Sequence, residues 1–230
     1  MTTDSPAVVR SCDAKDLVLA HQAFRRLYSL APDAVRNTDP TDRRRVAALA
    51  STLTTINNAL HHHHTVEDTK IWDTLAERKP VCGLHVELMR RQHGTVAQLL
   101  AEAPALIRAW RRDPAPGRTE ALAATFAEID TVLTVHLRDE EQRVVPVIEE
   151  VMSSREWDKV GAAARATYAP DQVALFLGLI LDLMPAAERL EFEAELPGPV
   201  RLVWALVGRR HYERLMERLS PAGPAVGRRP

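Results

Sequence analysis

The sequence predicts an all-α fold: an antiparallel, up-down-up-down four-helix bundle followed by further C-terminal helices. Three observations predict it. Alanine, leucine, arginine and glutamate dominate, and no stretch alternates β-branched with polar residues as a half-buried strand would. Glycine is scarce, at 9 of 230 residues. The 15 prolines gather at a few breaks, which divide the chain into long helical segments.

The first helix is expected from about Asp13 to Leu30, ending near the stretch APDAVRNTDPTD. A second starts after Asp39-Pro40, where Thr41 or Asp42 can cap a free N–H of the first turn, and continues to Pro80. A third runs from about Cys82 to Arg112 and stops at DPAPG. The fourth runs from Arg118 to about Met152. Short connections between long helices make neighbours antiparallel, so residues 13–152 are expected to form the bundle.

Residues 153–220 form a C-terminal extension with three candidate helices, in REWDKVGAAARATYAP, DQVALFLGLILDLMP and GPVRLVWALVGRRHYERLMERLS. It is apolar enough to need a partner surface, either the bundle or a second copy in a homodimer. The last ten residues, 221–230, PAGPAVGRRP, are expected to be a disordered tail.

Composition narrows the function classes. The chain is 46% hydrophobic and 27% charged with a net charge of -1, which offers no electrostatic argument for binding nucleic acid or an acidic membrane. The most apolar run, Val173 to Met184, is too short to span a bilayer and contains Asp182. Cys12 and Cys82 make no disulfide framework, and the first sixteen residues lack the basic start and apolar core of a signal peptide. A cytoplasmic protein is expected.

The chemistry lies in an internal repeat. Residues 63–75, HHTVEDTKIWDTL, overlie residues 136–148, HLRDEEQRVVPVI. His63 then meets His136, Glu67 meets Glu140, Asp68 meets Glu141 and Ile71 meets Val144. Each half also has an earlier helix with an isolated histidine, His21 and His93, at nearly the same distance upstream.

Helical geometry tests these residues. At about 100° per residue, His63 and Glu67 lie about 40° and one turn apart. Leu49, Leu53, Ile56, Leu60, Ile71 and Leu75 set the buried face of the second helix. Glu67 and His64 lie within roughly 30° of its centre and His63 at its edge, whereas His61 and His62 turn toward solvent. On the fourth helix Leu122, Phe126, Ile129, Leu133, Val144, Ile148 and Val151 set the face, with Glu140 near its centre and His136 on its flank.

A carboxylate on an apolar face is costly unless something pairs with it. Two of them, each beside a histidine on matching helices, predict a metal centre built from His21, His63, His64, Glu67, His93, His136 and Glu140. Five histidines and two carboxylates over four helices suit two ions better than a lone zinc, which takes about four ligands from a compact motif. His85 and His211 read as flank or interface residues, Met89, Tyr28 and Tyr168 as packing. Arg201, Arg209, Arg210, Arg214 and Arg218 read as a solvated face.

The pattern His21, His63-x-x-x-Glu67, His93, His136-x-x-x-Glu140 resembles the hemerythrin-like, HHE cation-binding family. The resemblance covers roughly residues 13–152 and implies a non-haem centre of two iron ions, Fe2+ or Fe3+, with bridging carboxylates and an oxo or hydroxo bridge. It implies His21 and His63 on one iron, His93 and His136 on the other, and Glu67 and Glu140 as bridges. Two departures argue against simple reversible oxygen carriage. Met89 stands where oxygen carriers have a further histidine, and Glu140 and Glu141 occupy the fourth and fifth positions after His136, where they have HxxxxD. His64 is placed to supply the missing ligand.

Three readings follow. The first is a protein that binds or reacts with O2, peroxide or NO in sensing, detoxification or buffering. The second is an O2- or peroxide-dependent oxidoreductase acting on a small organic substrate between the bundle and the C-terminal helices. The third is a bundle whose stability reports its iron loading.

Overall fold

A computed structural model describes residues 11–166 and 168–220. The proposed tail, 221–230, lies outside the described residues. Apart from an isolated bridge between Ser11 and Ser153, the described residues hold helices, turns and loops and no strand.

Helix α1 spans Lys15–Arg36 and runs past the expected end at Leu30. Pro32 lies inside it and removes one N–H, but Ala31, Ala34 and Val35 are fully or nearly fully buried, and that packing carries the helix onward. Helix α2, Arg43–Lys70, is capped by Asp42, whose side chain accepts the Arg45 N–H at 2.9 Å.

The two helices that carry the HxxxE segments break where no break was expected. Helix α2 ends at Ile71 and α3, Trp72–Arg78, sets off anew. A 3-10 turn, Pro80–Cys82, leads into α4, Gly83–Arg112, which tolerates Pro104 in its interior. Helix α5, Pro116–Arg143, starts on a proline at its first turn and ends at Val144, followed by α6, Val145–Val151. Ile71 and Val144 are equivalent positions of the repeat. Pro146 lacks the N–H that would continue α5. No proline stands near Ile71 on α2, and nothing local explains that break.

Helices α1, α5, α4 and α2 touch in a closed ring. Two apolar clusters fill it. One contains Phe24, Leu53, Leu60, Phe126, Leu133 and Leu137; the other contains Leu17, Ile71, Met89, Val144 and Ile148. The polar residues of the repeat lie in sequence between these two clusters on every helix. Val151, expected on the buried face, is only half-buried.

The extension packs on the bundle. Helix α7, Ser154–Ala166, lies against α2; α8, Pro170–Leu183, lies against α1 and α2. An unexpected helix α9, Ala186–Glu195, follows Pro185 and buries no residue. The last expected helix is divided into α10, Gly198–Val203, a five-residue π-helical turn, Trp204–Gly208, and α11, Arg209–Leu219. Helix α11 packs on α8, α1 and α2. No described helix is long and apolar enough to cross a membrane.

Candidate metal centre

Each bundle helix delivers part of one polar layer: His21 from α1, His63, His64 and Glu67 from α2, His93 from α4, His136 and Glu140 from α5. All seven are buried, none more than 7% exposed. Potential ligand atoms of six of them form two groups, one of His21, His63 and Glu67, the other of His64, Glu67, His93 and His136, each within 4.8 Å; Glu140 belongs to neither.

Glu67 belongs to both groups. Its carboxylate lies 3.1 Å from His63 Nε2, 3.9 Å from His21 Nε2 and 3.5 Å from His93 Nε2. Glu140 also reaches both, with Oε2 3.6 Å from His21 Nε2 and 3.5 Å from His136 Nε2. The His64 and His93 rings stack with centroids 4.2 Å apart.

Hydrogen bonding separates the two nitrogens of three histidines. His21 Nδ1 is 3.1 Å from Glu141, His93 Nδ1 is 2.7 Å from Asp68, and His136 Nδ1 is 3.1 Å from the side-chain carbonyl of Gln92. These oxygens only accept, so each ring carries a proton on Nδ1 and turns Nε2 inward. The orienting acids are themselves held. Arg25 grips Glu141 with two bonds of 2.7 and 3.1 Å, and the Trp72 indole N–H donates to Asp68 at 2.8 Å.

Among the described residues, the inward atoms have no hydrogen-bond partner. They are Nε2 of His21, His63, His93 and His136, both ring nitrogens of His64, and all four oxygens of Glu67 and Glu140. Such a concentration of unsatisfied buried polar atoms demands an occupant. The donor set, imidazole nitrogen and carboxylate oxygen converging on shared positions with oriented rings behind them, fits divalent or trivalent cations.

Electrostatics point the same way. Burial, with little to offset it, lowers His63 to about 4 and His136 to about 3, and holds His64 well below the ordinary range. These three rings are neutral, as ligands must be. Burial alone would lower His21 too, but Glu140, Glu141 and Glu67 raise it to about 9. Glu140 is pushed up by burial and by the Glu67 charge, while the surrounding histidines hold Glu67 down despite its burial. Two carboxylates without a cation thus compete for one negative charge.

The expected inward residues are all in the layer, and His61 is exposed as expected. His62 corrects an expectation. It is half-buried, bonds through Nε2 to the Ala164 carbonyl at 3.2 Å and meets the Tyr168 ring edge-on at 5.5 Å. The outer face of α2 is covered by the extension, which the periodicity of α2 alone does not reveal. Asp68, Gln92 and Glu141 were missed as orienting residues; Glu141, noted only for its place at the fifth position after His136, stands behind His21. The repeat held a signal for one of them, because Asp68 aligns with Glu141; nothing in the sequence singled out Gln92. Met89 and Tyr28 pack in the core, Tyr28 against Phe126 at 5.7 Å.

A family model, hemerythrin HHE cation binding domain, matches residues 13–148. The chain belongs to this family. The matched segment contains all seven buried histidines and glutamates and the three residues that orient them, so this hemerythrin-family protein carries its His/Glu cluster inside its cation-binding domain. No curated protein and no solved structure matches the chain.

Proposed function

We propose that residues 13–152 form a hemerythrin-like domain holding two iron ions, and that it binds or reacts with O2, peroxide or NO. The observation that carries this reading is the set of inward, unpartnered ligand atoms divided into two groups that share Glu67. His21 and His63 would serve one ion, His64, His93 and His136 the other, with Glu67 and Glu140 spanning both. When bound, iron in such a site supplies one-electron chemistry and an open position for a small ligand.

The chain's own residues do the rest. Asp68, Glu141 and Gln92 fix the tautomer and orientation of three rings. The apolar clusters on either side exclude water and strengthen every interaction in the layer. A cavity of about 420 Å³ lined by Asp68, Arg90, His93, Gly94 and Ala97 offers a polar approach to His93. That approach suits a small polar ligand. The oxidase reading needs an organic substrate beside the layer, and the apolar cavity among the C-terminal helices is lined by none of the seven residues. We therefore rank small-ligand chemistry first. The buried, unpaired Cys12 and Cys82 suit a reducing cytosol.

Elemental analysis, with optical spectra of anaerobic, reduced protein before and after O2, tests the reading. About two irons per chain and a new absorption band support it. One zinc per chain, or no metal and no spectral change, overturns it.

A further inference from the structure

Among the described residues, two aromatic side chains other than histidine meet the histidines of the layer. Phe24 lies 5.0 Å from His63 and Trp72 lies 5.5 Å from His93, centroid to centroid. Of the two, only the electron-rich indole gives up an electron readily. Trp72 is fully buried at the start of α3, just after the break at Ile71. Its indole N–H donates to Asp68 Oδ1 at 2.8 Å, and the same oxygen takes the Nδ1–H of His93 at 2.7 Å. One carboxylate oxygen therefore couples the indole to a ring of the His/Glu layer.

The other half of the repeat lacks this arrangement. Val145 stands at the position equivalent to Trp72, and Glu141, the counterpart of Asp68, is held by the Arg25 guanidinium. For steadying a carboxylate alone, a charged, two-pronged guanidinium is the stronger choice than one neutral N–H. Other oxidisable rings are less well placed. Trp157 also donates to a carboxylate, that of Asp16 at 2.9 Å, but no ring contact links it to a histidine of the layer among the described residues. Tyr28 is fully buried against Phe126, and its hydroxyl has no partner to take a proton.

We propose that Trp72 is a one-electron donor to the metal centre, an inference that rests on the di-iron reading above. Cleaving the O–O bond of hydrogen peroxide to give two waters takes two electrons and two protons. When the centre has a single ferrous electron to give, Trp72 gives the second, and the protons come from solvent. The indole is left as a cation radical. Its N–H stays bonded to Asp68, and the carboxylate charge balances the new positive charge inside an apolar surround. No proton has to leave the ring. Without that second electron, the same cleavage yields one water and a hydroxyl radical beside the layer. Trp72 thus completes the reduction and spares the bundle from that radical.

Freeze-quench electron paramagnetic resonance tests this on the full chain, loaded with iron, reduced by one electron and mixed with hydrogen peroxide. Absorbance follows oxidation of the iron in the same samples. A tryptophan radical is expected, identified by the narrowing of its spectrum in protein grown on ring-deuterated tryptophan. Trp72→Phe should abolish it and release hydroxyl radical to a nitrone spin trap. Asp68→Asn keeps the indole and an acceptor but removes the charge, and should lower the radical yield about tenfold. Trp157→Phe should leave the yield unchanged. Oxidation of the iron with no tryptophan radical overturns the proposal and leaves the di-iron reading standing. So does a radical that survives Trp72→Phe, keeps its full yield in Asp68→Asn or vanishes with Trp157→Phe. Should the Trp72→Phe chain fail to hold iron, the Asp68→Asn and Trp157→Phe chains decide between Trp72 and another tryptophan. Iron that stays ferrous in peroxide overturns this inference alone, whereas a chain that holds no iron sinks the di-iron reading and this inference with it.

Discussion

Asp68 on α2 accepts the Nδ1–H of His93 on α4 at 2.7 Å, across the boundary between the two halves of the repeat. Its counterpart Glu141, on α5, does the same for His21 on α1 at 3.1 Å. Each half therefore orients the isolated histidine of the other. The residue after each inward glutamate reaches over the bundle instead of along its own helix. The duplication thus preserves the backing of the layer as well as the layer itself.

Asp68→Ala should weaken metal binding about 10- to 100-fold, because it removes the backing of His93, and it also leaves the Trp72 indole N–H without its acceptor. Asp68→Asn, whose side-chain carbonyl can still accept the Nδ1–H, should recover most of the loss. Cobalt titration followed by absorbance measures both. Equal effects of the two substitutions would show that charge, not orientation, is what Asp68 contributes.

His64 has both ring nitrogens buried and unpartnered, whereas His61 is exposed. If the centre holds two ions as proposed, His64→Leu should keep the fold and cost the chain one of them, or lower its affinity at least tenfold. His61→Ala should leave stoichiometry and affinity unchanged. Metal analysis after dialysis distinguishes them, and two firmly held ions in the His64→Leu chain would remove His64 from the ligand set.

Stability of the metal-free chain should depend on pH in two opposed ways. His63 at about 4 and His136 at about 3 are held by burial below the ordinary 6.5. The unfolded chain takes up those protons first, so stability present above pH 6.5 is lost as the pH falls toward 4. His21, raised to about 9, contributes stability that is full below pH 6.5 and lost as the pH rises through 9. Glu140, also raised, adds to the alkaline loss. Urea unfolding of metal-free protein between pH 4 and pH 9 should show a maximum near neutrality. A curve flat from pH 6.5 down to 4 would contradict the neutral, buried histidines.

Gly178 on α8 is where α11 docks. A Cβ there would lie 2.2 Å from Cγ of Tyr212, whose ring packs flat on the glycine and whose hydroxyl donates to Asp182. Gly178→Ala should push the Tyr212 ring away and destabilise the chain by about 1–3 kcal/mol through overpacking. Limited proteolysis should then release fragments cut near α11 while the bundle stays intact. A substitution with no effect on stability would mean that α11 shifts on α8 without loss.

Much of the layer was legible beforehand because helical periodicity is a local property. Glu67, His64 and Glu140 share the direction of Leu53, Leu60 and Leu133 on their own helices, and 3.6 residues per turn fixes that without any partner. The Asp42 cap was legible for the same reason. The break at Ile71 was not, since α3 and α6 pack on one another and that packing is long-range, whereas the break at Val144 carried a local signal in Pro146 that was passed over. Pro32 misled in the other direction: buried neighbours hold α1 together where propensity alone ends a helix.

The sequence by itself determined the helical class, the duplicated half, and which histidines and carboxylates face inward. Each follows from spacing along one helix. The tertiary structure decided that Asp68, Gln92 and Glu141 back histidines on other helices, that Glu67 and Glu140 each reach both groups, and that the extension covers His62. Those relations depend on how helices are rotated and stacked against one another, which no single helix's periodicity contains.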